Sequence, residues 1–426
     1  MKSIIKIFGL IVFAVSIGLV SCEIDPPPTN PYPDALASPN PELDFKNINI
    51  PNPTFSMEKG KIVRMDIAGI LNPVTKEWIE LIGTNAENSL KAGSLGEKAK
   101  GNIFVEVDGE PKFILIWLPE PDENKLIDYV FLVDNSGSMS QEANAVAEQI
   151  LKYAEYLVEK NFDIRFGCVG YGGNVNLEYN YLVNGYGVTG ALNLTSYTYI
   201  DAFLNRSGNS GTSRTKGYMG EDADELKSIA QSSYSKSGGE CSVQAIRFAD
   251  ENFTTRFRPG AQRIYLNFTD DANYPGGNPE ISIDYIKNPE NWNTSKGTIH
   301  SVISSDSIII TRYPYGEKSW LLSEYTGGTT LFTDPNFTTI ISGGAKVSSQ
   351  MRTKAEASEY ISLIDLPVTG AILYSSIIRF KNTSKVPDGK HKVKITVQST
   401  DRTVQGEKLF ENVTFDSGNN PKKPKK

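Results

Sequence analysis

Asp134-Asn135-Ser136-Gly137-Ser138 places one carboxylate and two hydroxyls on alternate residues. The alternation lets all three oxygens face the same way. Hard oxygen donors of this kind suit Mg²⁺, Mn²⁺ or Ca²⁺ rather than zinc. A second acidic loop, Thr269-Asp270-Asp271, stands far downstream. Helix capping would account for Asp134 or Ser136 singly, because both side chains accept backbone N–H bonds at helix starts. It does not account for the alternating trio together with a second acidic loop.

The surrounding sequence says what must hold these loops. Tyr129-Val130-Phe131-Leu132-Val133 is a continuous apolar run, as expected of a parallel strand covered on both faces. Ala143, Val146, Ala147, Ile150, Leu151, Ala154, Leu157 and Val158 then recur at helical spacing over residues 141–159. Strands are expected at 163–171, 263–268 and 298–304, with helices at 242–253 and around 320–325. Strands alternating with helices predict an α/β fold with a doubly wound, mostly parallel sheet. Such sheets bind ligands at the carboxyl edge of their strands, where both the Asp134 and Asp270 loops would lie.

The flanks read differently. Residues 58–124 carry strand candidates at 61–71, 77–83, 103–107 and 112–118, the last two joined by an Asp108-Gly109 hairpin turn. Residues 358–416 carry candidates at 360–366, 371–380, 392–398 and 409–415, with a turn at Pro387-Asp388-Gly389. Either these are separate β-rich beads, or they pair into one β-sandwich with the α/β region, residues 125–350, inserted. Neither flank alone offers many strands to close a core, which favours pairing.

Asp134, Ser136 and Ser138, with Thr269-Asp270, resemble the von Willebrand factor A domain and its metal-ion-dependent adhesion site. Glu324-Tyr325-Thr326-Gly327-Gly328-Thr329 resembles that domain's closing helix-to-strand junction. The resemblance covers residues 127–349, roughly half the chain. It implies that Ser136 and Ser138 coordinate Mg²⁺ (or Mn²⁺ or Ca²⁺) directly, with Asp134 and Asp270 acting largely through bound waters. It further implies that an open coordination position accepts an acidic side chain from a protein or extracellular-matrix partner, an adhesion function. One departure bears on this. Gly238-Gly239-Glu240-Cys241-Ser242 stands where the family has Gly-Gly-Thr, so Glu240 takes the place of the Thr hydroxyl. A carboxylate on the metal would weaken its attraction for a partner's carboxylate, and Ser242 is an alternative hydroxyl donor. A second reading therefore stays open: a metal-independent structural or assembly subunit of a cell-envelope or surface complex.

The N-terminal stretch reads as an address. Lys2 and Lys6 precede an apolar run over residues 7–20, short of the ~20 residues a spanning helix needs. Leu19-Val20-Ser21-Cys22 resembles the lipobox of bacterial lipoproteins, which implies loss of residues 1–21 as a signal peptide and lipidation of Cys22. The chain would then be anchored through lipid to a membrane of the bacterial envelope. Glu23 and Asp25 resemble the export signals of surface lipoproteins, so an outer-membrane, surface-exposed location is expected. Nine prolines between 23 and 57 predict a Pro-rich tether over residues 22–57. Residues 417–426 read as a disordered basic tail.

Composition excludes several classes. The 426 residues suffice for two or three domains, and the formal charge is -7. Discounting the lysines of the leader and of the tail, the body carries about -13, which argues against a nucleic-acid partner. Two histidines leave little room for zinc, and Cys168 and Cys241 are either free thiols or one bridge. No enzyme is expected: Ser136 lacks a G-x-S-x-G elbow, His300 and His391 have no nucleophile motif beside them, and there is no phosphate-binding P-loop.

Overall fold

A computed structural model of the protein describes residues 44–45, 48–58, 61–75, 77–82, 101–117, 126–140, 142–160, 162–174, 186–253, 256–303, 316–332, 367–382 and 389–415. The signal segment, Cys22, most of the tether, the strand expected at 360–366 and the basic tail lie outside the described residues.

The first flank forms β1 (Asp44–Phe45), β2 (Thr54–Glu58), β3 (Ile62–Ile67), β4 (Ile103–Val107), β5 (Glu110–Lys112) and β6 (Ile114–Trp117). The α/β region follows as β7 (Leu126–Asp134), α1 (Ala143–Glu159), β8 (Asp163–Asn174), β9 (Tyr186–Thr195), α2 (Tyr197–Leu204), β10 (Gly217–Met219), α3 (Ala223–Ser233) and α4 (Ser242–Asn252). It continues with β11 (Gln262–Thr269), α5 (Ile283–Lys287), β12 (Thr298–Ile303), α6 (Leu321–Thr326) and β13 (Thr330–Phe332). The second flank is α7 (Pro367–Leu373), β14 (Ser376–Lys381), β15 (Lys390–Gln398) and β16 (Val404–Thr414).

The α/β strands form one seven-stranded sheet in the order β10-β9-β8-β7-β11-β12-β13. Every neighbouring pair is parallel except β8 with β9. β7 sits near the centre, where its run of apolar residues is buried on both faces. One face packs on Leu226 of α3, Val243, Ile246 and Phe248 of α4, Ile286 of α5 and Leu322 of α6. The other packs on Ile150, Tyr153 and Leu157 of α1, Ile200 and Phe203 of α2, and Val368 and Ile372 of α7. The sheet is thus covered on both sides, as the alternating pattern predicts.

The two flanks interleave. β14, from after the α/β region, pairs with β3 and β6 from before it. β15 likewise lies between β4 and β16. The resulting sheets, β1-β16-β15-β4-β5 and β2-β3-β14-β6, enclose one core that includes Met65, Ile67, Val105, Ile378, Phe380, Val393 and Ile395. The α/β region is an insertion between strands of this sandwich.

Three local expectations differ from the structure. Ile48 and Ile50, inside the stretch read as tether, are buried in the sandwich core, and Thr54–Glu58 is a strand. Proline spacing there left room for apolar residues that a solvated spacer does not need. Residues 371–373 end a helix instead of starting a strand; Val368 and Ile372 are one turn apart and both face the α/β core. Among the described residues 77–82, the strand expected at 77–83 is reduced to an isolated bridge between Trp78 and Leu71.

Candidate functional site

β7 ends at Asp134 between β8 and β11, so its carboxylate emerges at the carboxyl edge of the sheet, fully buried. One oxygen, Oδ1, accepts the backbone N–H of Ser136 at 2.9 Å, which folds the loop back over the strand end. The other, Oδ2, accepts the hydroxyl of Thr269 at 2.8 Å, so β11 and β7 are tied at their tips. A short 3₁₀ turn, Ser138–Ser140, then leads into α1. Ser136 Oγ and Ser138 Oγ lie 2.9 Å apart, and Ser138 Oγ donates to Asp270 Oδ1 at 2.9 Å. The expected trio and the second acidic loop therefore meet.

Glu240 joins them from the loop before α4, whose carbonyl accepts the N–H of Tyr274 at 2.9 Å. Gly172 separates Glu240 from Asp134. Its φ is +81°, and a Cβ there would fall 2.5 Å from Asp134 Oδ1 and 3.2 Å from Glu240 Cγ. Only glycine leaves that gap between the two acids.

The electrostatics follow from crowding acids at a buried edge. Burial pushes the Asp134 carboxyl well above the usual carboxylate range, and Glu240 and Asp270 add to it. Burial pushes Glu240 up to about 7 against its own backbone hydrogen bond, with Asp271 and Asp270 raising it further. Among the described residues no three or more His, Cys, Asp or Glu form a metal-holding group. The donors here are of mixed kind, hydroxyl and carboxylate. That set fits a hard divalent cation: Ser136, Ser138, Asp134, Glu240 and Asp270 supply only oxygen, and a cation would favour the ionised carboxylates that burial, and then neighbouring acids, disfavour.

Ser242 is placed differently. Its hydroxyl lies 2.9 Å from Tyr171 Oη and accepts from Asn267 Nδ2 at 3.1 Å, while Tyr171 donates to Asn267 Oδ1 at 2.7 Å. The three side chains close a buried ring beneath the site and use each other's hydrogen-bonding capacity. Sequence reasoning missed Tyr171 and Asn267; their one signal was polarity at the inner ends of apolar strands.

Asn135 stands between two ligand candidates, Asp134 and Ser136. Its N–H donates to the carbonyl of Tyr171 at 2.8 Å, and its side chain pairs with Thr189 at 2.8 Å and Thr215 at 3.3 Å. It thereby fixes the rim formed by residues 206–217. That rim is ordered by Arg214, whose guanidinium donates to the carbonyl of Leu204 at 3.0 Å and to Asn205 Oδ1 at 2.6 Å. On α2, Tyr199 is exposed and Tyr197 is partly buried.

Cys168 and Cys241 are free and buried. They belong to the cores on opposite faces of the sheet, which keeps them from bridging. Burial pushes both thiols up to about 12.

No protein family and no curated protein matches the chain. Solved structures do resemble it at low identity. The adhesive tip pilin GBS104 from Group B Streptococcus agalactiae is 18% identical over 34% of this chain and 46% of that one, with a TM-score of 0.22. The pilus adhesin RrgA from Streptococcus pneumoniae is 15% identical over 57% of this chain and 31% of its own, with a TM-score of 0.24. Proximal thread matrix protein 1 from the mussel byssus is 14% identical over 57% of this chain and 47% of its own, with a TM-score of 0.27. The chain spans less than half the length of each of these three proteins.

Proposed function

We propose that this protein is a surface-displayed binding protein whose Asp134, Ser136, Ser138, Glu240 and Asp270 hold a divalent cation, Mg²⁺ before Mn²⁺ or Ca²⁺. The observation that supports this reading is the meeting of Asp134, Ser136, Ser138 and Asp270 at one sheet edge, with burial first and then Glu240 and Asp270 raising the Asp134 carboxyl. When bound, the cation supplies a directional positive charge that a partner's acidic side chain can approach. The chain's own part is to hold those oxygens on rigid strand ends, while the Asn135–Thr215 rim shapes access. Lipid anchoring through Cys22 would present this edge at the bacterial outer surface; no nucleic acid and no catalytic step belong to the reading.

The test is thermal unfolding of the mature chain with added Mg²⁺ or Mn²⁺. Saturation at about a hundred times Kd stabilises by roughly 2.7 kcal/mol. The wild type should gain, and Asp134→Ala should not. Equal behaviour of the two would sink the cation site.

A second reading is a metal-independent assembly subunit, favoured by Glu240 standing where the resembled family has threonine. Under it, partner capture survives EDTA, and Glu240→Thr leaves capture unchanged. Under the cation reading, Glu240→Thr strengthens capture of an acidic partner while weakening the hold on the cation.

A further inference from the structure

Residues 49–52 run where the sandwich meets the α/β insertion, and they are stitched to both. Asn49 Nδ2 donates to the carbonyl of Gly328 at 3.0 Å. The N–H of Asn52 donates to the carbonyl of Thr326 at 3.0 Å, and its side chain to that of Gly297 at 3.2 Å. Thr298 returns a hydroxyl to the carbonyl of Asn52 at 3.3 Å. Gly327 has a φ of +78°, and a Cβ there would lie 2.2 Å from Pro51 Cα. The fit between the end of α6 and this segment is thus closed at backbone distance.

On the sandwich side, Ile50 is fully buried and Lys408 of β16 reaches across. Its ammonium donates to the carbonyl of Ile50 at 3.1 Å, the carbonyl of Tyr325 at 3.2 Å and Asn52 Oδ1 at 3.4 Å. An ammonium has three donors, and here all three acceptors are neutral. The neighbouring ionisable groups are engaged or turned outward: Lys296 with Asp250, Lys287 over the Tyr325 ring, Lys394 with Glu106, and Glu324 and Glu407 exposed. Among the described residues no carboxylate pairs with Lys408.

We propose that residues 49–52 form a strap, locked by Lys408, through which the N-terminal side of the chain grips the end of α6 and, through it, the second acidic loop. The line continues because Ser319, just before α6, donates its hydroxyl to the carbonyl of Asp271 at 3.0 Å. Chain ahead of residue 48 is held first by β1 on β16, and the strap then ties the same stretch to the α6–β13 junction. The strap stands on its own contacts and does not depend on the cation reading.

Hydrogen exchange on the full chain tests this, comparing wild type with Lys408→Met and Asn52→Ala. The expected result is exchange roughly tenfold faster or more at Asn52, Gly328 and Ile299 and along α6, the scale set by losing a hydrogen bond to a charged group. The amides of β3 and β14 should stay unchanged. Unaltered exchange at those positions, or equal acceleration throughout, would overturn the strap. Should Lys408→Met fail to fold, Asn52→Ala carries the same comparison.

Discussion

Ser138 donates its hydroxyl to Asp270 Oδ1 at 2.9 Å across 132 residues of chain, joining the loop after β7 to the loop after β11. The bond makes the two acidic loops one site. Ser138 is exposed while Asp270 is almost fully buried, so the hydroxyl is the member that can turn toward a ligand. Ser138→Ala should therefore lower the apparent Mn²⁺ affinity in a calorimetric titration while changing the unfolding midpoint without metal by little. A large loss of metal-free stability with unaltered affinity would assign Ser138 a purely structural role.

Ser242 should behave in the opposite way. It closes the buried ring with Tyr171 and Asn267, so Ser242→Ala strands two polar partners. Leaving a buried group unsatisfied costs about 1–3 kcal/mol. Chemical denaturation should show that loss, and the Mn²⁺ titration should be unmoved. Abolished titration with intact stability would instead make Ser242 a cation donor.

The sequence carried the site better than it carried its supports. Leu126–Asp134 and α1 were readable because a doubly covered strand is continuously apolar and a one-face helix repeats every three to four residues. β9 escaped because Gly187 and Gly190 interrupt its apolar pattern; those glycines allow close packing, and a Cβ at Gly190 would meet the carbonyl oxygen of Thr215 at 2.2 Å. The shortage of strands in either flank favoured the insertion, but not the order in which the strands pair. Strand composition does not encode which distant strand is a neighbour, and here β14 sits between β3 and β6. Glu240 could be located by its position before α4, but the gap at Gly172 that sets it against Asp134 is a three-dimensional fact.

His300 gives an acid-side prediction. It is buried on β12, and its Nδ1 accepts the N–H of Thr329 at 3.1 Å, which leaves the proton on Nε2. Burial pushes its pKa down to about 3. The unfolded chain takes up this proton near the ordinary value of ~6.5, before the folded chain does. The contribution is thus fully present above pH 6.5 and lost progressively as pH falls toward 3. Denaturation at several pH values should show a shallower acid loss for His300→Gln than for the wild type. Parallel pH curves would refute the assignment.

Gly327 tests the junction from the helix side. At a φ of +78° an alanine is strained, and its Cβ would collide with Pro51 Cα and the carbonyl oxygen of Ile50. Backbone atoms on both sides cannot step aside as a flexible side chain would. Gly327→Ala should destabilise by more than the ~1 kcal/mol of a left-handed penalty alone. Its unfolding midpoint should fall further than that of Gly109→Ala, where φ is +81° but no atom lies within 4 Å of the added carbon. Equal losses would mean that conformation alone matters and that Pro51 yields.

Lys408 supplies the alkaline counterpart, with the sign reversed from the usual stabilised lysine. Burial pushes its pKa down to about 7, well below the ~10.4 of an exposed lysine. Between those values the unfolded chain holds a proton that the folded chain has released. Stability therefore rises with pH across that window, because the burden of a buried charge is present below pH 7 and relieved above it. Lys408→Met removes this linkage. The stability difference between wild type and variant should be flat below pH 7 and move in favour of the wild type toward pH 10. The charged neighbours that could mimic the effect are already paired or exposed, Lys296 with Asp250 and Lys394 with Glu106. A difference that stays constant from pH 6 to 10 would show that the Lys408 ammonium keeps an ordinary pKa in the fold, and that its three acceptors offset its burial.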